Sequence, residues 1–169
     1  DTTNGTITLT LTTTGNGSCQ AYSDQMTVTI TPSPIPNAGT DQTVCGDIAA
    51  VTINGLVSHA TGGEWSTSGT GTFSPSDALL STTYIPSSAD TTAGFVTLTL
   101  TTTGNGLCNA YSDDITINLT DIPTVNAGND QTICADATGA FLGGSITIAS
   151  GGIWTTSGTG TFSLSNTNL

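Results

Sequence analysis

GTITLTLTTTGNG stands at residues 5–17, and GFVTLTLTTTGNG stands at residues 94–106. In each copy apolar residues alternate with threonine, as Val96, Leu98 and Leu100 do with Thr97, Thr99 and Thr101. Successive side chains of a strand point to opposite faces of a sheet, so alternation with period two predicts a strand with one buried face. The Gly-Asn-Gly that follows supplies residues able to take positive φ and reverse the chain. A second alternating run, Ile115, Ile117 and Leu119 with Thr116, Asn118 and Thr120, comes back from that turn. Together the two runs predict a β-hairpin.

The spacing of the two copies extends along the whole chain. Cys19, Cys45, Trp65 and Phe73 recur as Cys108, Cys134, Trp154 and Phe162, and 108−19, 134−45, 154−65 and 162−73 all equal 89. SGTGTFS at residues 68–74 returns at residues 157–163. Solenoid repeats of about 20–50 residues need their neighbours to bury a core, whereas a unit close to about 100 residues has room for a whole β-sandwich. The expected fold is all-β, with tandem Ig-like (PKD-like) β-sandwich domains. Residues 34–122 form the complete repeat, residues 1–33 the C-terminal part of one repeat, and residues 123–169 the N-terminal part of the next. On this reading the chain is a segment of a longer array.

Within the complete repeat, short strands are expected at 42–45 and 51–55 around Gly46-Asp47, then at 63–67, 71–74 and 82–85, before the hairpin. Seven short strands separated by turns suit a sandwich. Trp65 and Phe73 are expected to fill most of its small core. Helical periodicity is confined to one turn near residues 87–92, and Pro32, Pro34 and Pro36 stiffen the junction between units.

Charge excludes several function classes. The chain has no Lys or Arg and a formal charge of −12, so it cannot neutralise phosphates. That argues against nucleic acid and anionic membranes as partners. No apolar run is long enough to span a bilayer, so no membrane insertion is expected. Four cysteines without CxxC spacing, in a chain rich in Thr, Ser and Gly, point to an oxidising, extracellular setting.

The ordered set NAGTDQTVC, VTINGLVS, GGEWSTSGTGTFS, TTYIPSSAD and VTLTLTTTGNG with a following cysteine resembles the PKD-like immunoglobulin repeats of giant Bacteroidota surface adhesins. Within that group the SprB-like gliding-motility adhesins are the most similar, and the resemblance covers the whole chain. It implies export by type IX secretion to the bacterial cell surface and a role as stalk or filament. Neighbouring repeats of the same polymer are the implied partners, with surface polysaccharide as a further one. Asp90-Thr91-Thr92 and Asp1-Thr2-Thr3 resemble the O-glycosylation sequence of Bacteroidota, which makes Thr91 and Thr2 candidate glycosylation sites.

All four cysteines, Cys19, Cys45, Cys108 and Cys134, are disulfide candidates. In an Ig-like order Cys45 lies at the bottom of the unit and Cys108 in the top hairpin loop, so each would reach a neighbouring unit. A bridge from Cys45 to Cys108 within one unit is the alternative, and sequence leaves both open.

Catalysis is not expected. His59 and Glu64 become Ile148 and Ile153 one period later, whereas a repeated catalytic site would repeat its chemistry. No cofactor is expected, although Asp41, Asp113 and Asp114 near strand ends are weak Ca²⁺ candidates, since that ion takes oxygen ligands. Trp65 is read as core rather than as a sugar platform. A carbohydrate- or ice-binding role for the threonine ladder or an exposed tryptophan is the alternative function. Finally, the two partial units are complementary pieces of one sandwich. Contacts are expected between the strand at Thr6 to Thr13 of one copy and the Trp154 to Phe162 region of another, or a covalent continuation of the chain that does the same.

Overall fold

The computed structural model describes residues 5–163 and residue 167. Strand makes up 42% of it and helix 4%, so the protein is all-β. The chain opens with a hairpin of β1 (Gly5–Thr12) and β2 (Ser23–Ile30). After the proline-rich junction come β3 (Ile35–Asn37), β4 (Gln42–Cys45), β5 (Val51–Asn54), β6 (Leu56–Ser58), β7 (Gly62–Thr67), β8 (Thr72–Ser74) and β9 (Ser81–Ile85). A six-residue helix, α1 (Ser88–Ala93), leads into the long hairpin of β10 (Phe95–Thr103) and β11 (Ser112–Thr120). The last described strands are β12 (Thr124–Asn126) and β13 (Ser145–Thr147).

Two sheets enclose the core of residues 34–122. One has the order β4-β11-β10-β7, with β4 parallel to β11 and the other pairs antiparallel. The facing sheet has the order β5-β9-β8, and β3 pairs with β6 beside it. Alternation decides what faces inward. Val96, Leu98 and Leu100 on β10 and Ile115, Ile117 and Leu119 on β11 are buried, while Thr97, Thr99 and Thr101 lie half-exposed on the other face. Val51, Ile53 and Tyr84 meet them from the facing sheet, and Trp65 closes the cluster from β7. Each such aliphatic side chain contributes about 1.5–3 kcal/mol when fully buried.

Two sequence expectations are corrected, and the sheet partners of the first two short strands become defined. The complete repeat has nine strands, because β3 and β6 are three-residue pieces too short to show a period. β4 and β5 do not pair around Gly46-Asp47: β4 joins β11 and β5 joins β9, so the chain changes sheets between them. The second large core aromatic is Tyr84. Phe73 is only half-buried, its ring 5.3 Å from that of Tyr84.

Gly71 lies where backbone and ring converge. A Cβ added there would collide with the Ile85 carbonyl oxygen and the Tyr84 hydroxyl, and the former is fixed by the β8-β9 ladder. Gly71→Ala is therefore expected to destabilise the unit by about 1–3 kcal/mol, the usual range for overpacking. Urea unfolding followed by tryptophan fluorescence measures it.

The 89-residue period returns as geometry. Phe95 pairs with Asn118 and Val96 with Ile117 in one hairpin, and Thr6 pairs with Thr29 and Ile7 with Val28 in the other. The pair β12-β13 repeats the register of β3-β6, with Thr124 opposite Thr147 as Ile35 is opposite Ser58. The repetition is not complete. Residues 131–134 and 151–156 carry the sequences of β4 and β7 but form no strand. Between residues 42 and 73 only the strand Leu56–Ser58 has a counterpart strand one period later, at Ser145–Thr147; β4, β5, β7 and β8 have none among the described residues.

Candidate functional site

The buried carboxylate of Asp90 organises the end of the complete unit. Ser87 caps α1 in a capping box with Asp90, and Gly94 ends the helix at φ 79°, a left-handed conformation that suits glycine. One Asp90 oxygen accepts from Ser87 N–H (2.8 Å), Gly71 N–H (3.0 Å) and the Tyr84 hydroxyl (2.8 Å), and the other from Thr70 N–H (3.0 Å). Thr67 Oγ1 donates to the Tyr84 oxygen at 3.0 Å. Burial disfavours the charge on Asp90, yet the N–H donors of Ser87 and Thr70 and the hydroxyls outweigh it, so its carboxyl is held below the ordinary range. Burial likewise pushes the Tyr84 phenol up. Sequence reasoning passed over both residues, although Ser87-x-x-Asp90 is a capping-box pattern. The network is structural: it ties α1, β8 and β9 to the core.

The candidate ligands are occupied by backbone. Asp41 accepts from Thr116 N–H at 2.9 Å and Asp113 from Ala38 N–H at 2.8 Å, while Asp114 is exposed on β11. Among the described residues no three His, Cys, Asp or Glu side chains cluster to hold a metal ion. Trp65 is buried and its indole N–H donates to Leu80 O at 3.3 Å, so it offers no platform to a sugar. His59 and Glu64 are exposed. Thr91 is half-buried on α1, its hydroxyl donating to Ser87 O at 3.1 Å and reaching Gly46 O at 3.5 Å. Thr2 lies outside the described residues.

All four cysteines carry free thiols. Cys45 is the register partner of Thr120 at the far end of β11, while Cys108 lies in the loop before that strand begins. Nine residues of β11 stand between the two ends. At about 3.3 Å per residue that is more than about 25 Å, far beyond the roughly 4.4–6.8 Å between Cα atoms of a disulfide. In this fold a bridge between Cys45 and Cys108 of one unit has no route. Cys108 instead faces backwards: its sulfur lies 3.4 Å from Thr31 Oγ1 and 3.7 Å from Pro32 O, both in the preceding junction. The thiol of Cys134 bonds the Asp136 carboxylate and, with a backbone N–H, holds it below the ordinary range.

Two grooves mark the junctions between units. The first, of about 620 Å³, lies between Thr31 and Pro32 on one side and His59 and the Gly104–Cys108 loop on the other. The second, of about 600 Å³, lies between α1 with Ile122 and the loop at Thr147 and Ile148. His59 at φ 59° and Ile148 at φ 68° occupy the same repeat position, one in each groove. Positive φ in a β-branched residue is strained, so the junction loop is held in an unfavourable conformation at Ile148.

The most unusual surface is the bare face of the first hairpin. Leu98, Leu100, Ile115 and Ile117 are at most 2% exposed, whereas their counterparts Leu9, Leu11, Met26 and Val28 are 49%, 80%, 59% and 36% exposed. Among the described residues β1 and β2 pair only with each other, and no strand lies on either outer edge. An apolar hairpin face with two free edges is a template for further strands. Among the described residues no helix is long and apolar enough to cross a membrane. Compared with known proteins, the chain matches no family model and no curated sequence.

Proposed function

We propose that this chain is a structural repeat of a secreted bacterial surface adhesin, built of Ig-like units and serving as stalk or filament rather than as an enzyme. The observation that carries the reading is the repetition itself: β1-β2 has the register of β10-β11 and similar apolar residues at the equivalent positions, one 89-residue period apart. In residues 34–122 the apolar face of β10-β11 is covered by the β5-β9-β8 sheet, while β4 and β7 extend its own sheet at the two edges. Residues 131–134 and 151–156 closely resemble β4 and β7 in sequence but form no strand. Identical modules in series then join head to tail, as strand addition between identical modules allows. A threonine-rich, acidic exterior without cations keeps such a rod soluble and discourages sideways contact.

The test is self-association of the chain, followed by sedimentation and by electron microscopy of the assemblies. Linear oligomers are expected, and they lengthen as salt is raised, because the screening length of a −12 chain falls from about 30 Å at 0.01 M to about 8 Å at 0.15 M. Leu9→Asp should abolish them without lowering the melting temperature of the complete unit. Strictly monomeric protein at high concentration and high salt would rule out the head-to-tail reading.

A further inference from the structure

We propose that residues 38–46 and strand β11 form a mechanical clamp, arranged so that tension along the chain loads all of its bonds at once. This deepens the stalk reading above, since a stalk has to pass tension from one unit to the next.

The chain enters the complete unit at β3 and leaves it at the end of β11, so tension is delivered at those two places. β4 is the edge strand of its sheet, and it runs parallel to its one neighbour, β11. Load from the N-terminal side pulls β4 towards its start, while load from the C-terminal side pulls β11 towards its end. Opposite pulls along parallel strands make one slide past the other, and sliding has to break the evenly spaced bonds between them together. Two strands pulled apart from one end would lose the same bonds one at a time.

The clamp is longer than the ladder. Gln42 lies opposite Ile117 and Cys45 opposite Thr120, so 117−42 and 120−45 both give an offset of 75. The ladder begins only at Gln42, because the chain first turns at 37–39, where Asn37 Oδ1 accepts from Gly39 N–H at 2.9 Å. Two carboxylates extend it backwards. Asp113 Oδ2 accepts from Ala38 N–H at 2.8 Å and Asp41 Oδ1 from Thr116 N–H at 2.9 Å, and 113−38 and 116−41 are again 75. Each segment thus lends one side chain to the backbone of the other, in the register of the ladder. At the far end Gly46 N–H donates to Thr120 O at 2.8 Å, and Thr120 Oγ1 donates to Val44 O at 3.2 Å. Hydrogen bonds to an ionised acceptor are stronger than neutral ones, so load arriving behind β3 meets the strongest bonds first.

The repeat keeps both partners of both bonds. Asp41 and Thr116 recur as Asp130 and Thr27, and Ala38 and Asp113 recur as Ala127 and Asp24. Asp114 is exposed beside Asp113 and becomes Gln25. The acid outside the clamp is the one that changes.

The experiment stretches the whole chain, with Cys19, Cys108 and Cys134 replaced by serine, and compares two tethers at constant load. One tether holds the two termini. The other holds the C-terminus and the exposed thiol of Cys45, which lies opposite Thr120, so both pulls act at one end of the ladder. The folded protein is the same in both, and forced unfolding reads the barrier rather than the equilibrium. The complete unit, recognised by the length of chain it releases, is expected to open about tenfold or more slowly between the termini, the factor that one or two extra hydrogen bonds in the barrier supply. Asp41→Ala and Asp113→Ala should each speed opening between the termini by roughly threefold to tenfold. They should leave the Cys45 tether unchanged, because there their bonds break last. Asp114→Ala should alter neither. If a carboxylate variant does not fold, the two tethers on the chain with both carboxylates still decide. Equal opening rates with the two tethers would overturn the clamp, and so would carboxylate variants that speed both alike. Neither result touches the stalk reading, which self-association decides. A direction-dependent barrier in a chain that stays monomeric at high salt would keep the clamp and sink the stalk.

Discussion

Asp90→Asn is expected to destabilise the complete unit by about 3 kcal/mol, because at least one buried donor loses its acceptor, at about 1–3 kcal/mol, and the others exchange a charged acceptor for a weaker neutral one. Four donors converge on the carboxylate, three of them backbone N–H groups that cannot turn away. The amide of asparagine would present its own N–H₂ either to Thr70 N–H or to the other three donors. Urea unfolding at neutral pH measures the loss. The pH profile gives an independent check with a definite sign. A carboxyl whose folded value lies below its unfolded value of about 3.9 contributes stability that is present above that value and is lost as pH falls through the folded one. Wild-type protein should therefore shed this contribution only below about pH 4, in the window between the unfolded and folded values. Asp90→Asn should lack it at every pH, so the gap between the two proteins closes in acid. A gap of constant size down to strong acid would show that the carboxylate is not what the network needs.

The second large effect separates two copies of one residue. Trp65→Ala should cost about 3–5 kcal/mol, the usual range for an aromatic removed from a packed core. Trp65 is buried against Leu100 and Leu80 beside Gly55, with its indole N–H bonded to Leu80 O. Trp154 is the same residue one period later and lies beside Gly144 as Trp65 lies beside Gly55, but it stays half-exposed. Trp154→Ala in the single chain should cost about 1 kcal/mol or less, as substitutions outside a packed core do. Its effect should appear in assembly instead, where residues 151–156, which form no strand in the single chain, are the counterpart of β7 on β10. The unfolding midpoint of dilute protein and the length distribution of concentrated protein separate the two roles. Equal losses of stability for the two variants would mean that residues 123–163 hold a core of their own.

The comparison of copies shows which decisions were local. The β1-β2 and β10-β11 hairpins share one register although one face is bare and the other sealed. Alternating threonine and the Gly-Asn-Gly turn suffice for that, because a hairpin carries both its strands and its turn in one stretch of sequence. The same holds for the turns at 37–39 and 126–128, where Asn37 and Asn126 each accept from the glycine N–H two residues on. The period, the strand-rich class and the inward face of the long hairpin were legible for this reason.

Other features were decided only by tertiary structure. QTVC becomes β4 and QTIC remains unpaired, although the sequences are nearly identical. An edge strand takes its hydrogen bonds from a partner distant in sequence, so its own residues permit the strand without forming it. Tyr84 and Asp90 were silent for a related cause: an alternating Thr-Tyr strand and a Ser-Ala-Asp turn read as ordinary surface until two sheets close over them. The direction of the cysteines belongs to the same class. Spacing supplied Cys45 and Cys108 as a pair within one unit or as ends facing neighbours, and only the nine residues of β11 between them place one at each end of the unit. Sequence fixes what a segment can pair with, and the fold determines whether that partner is present.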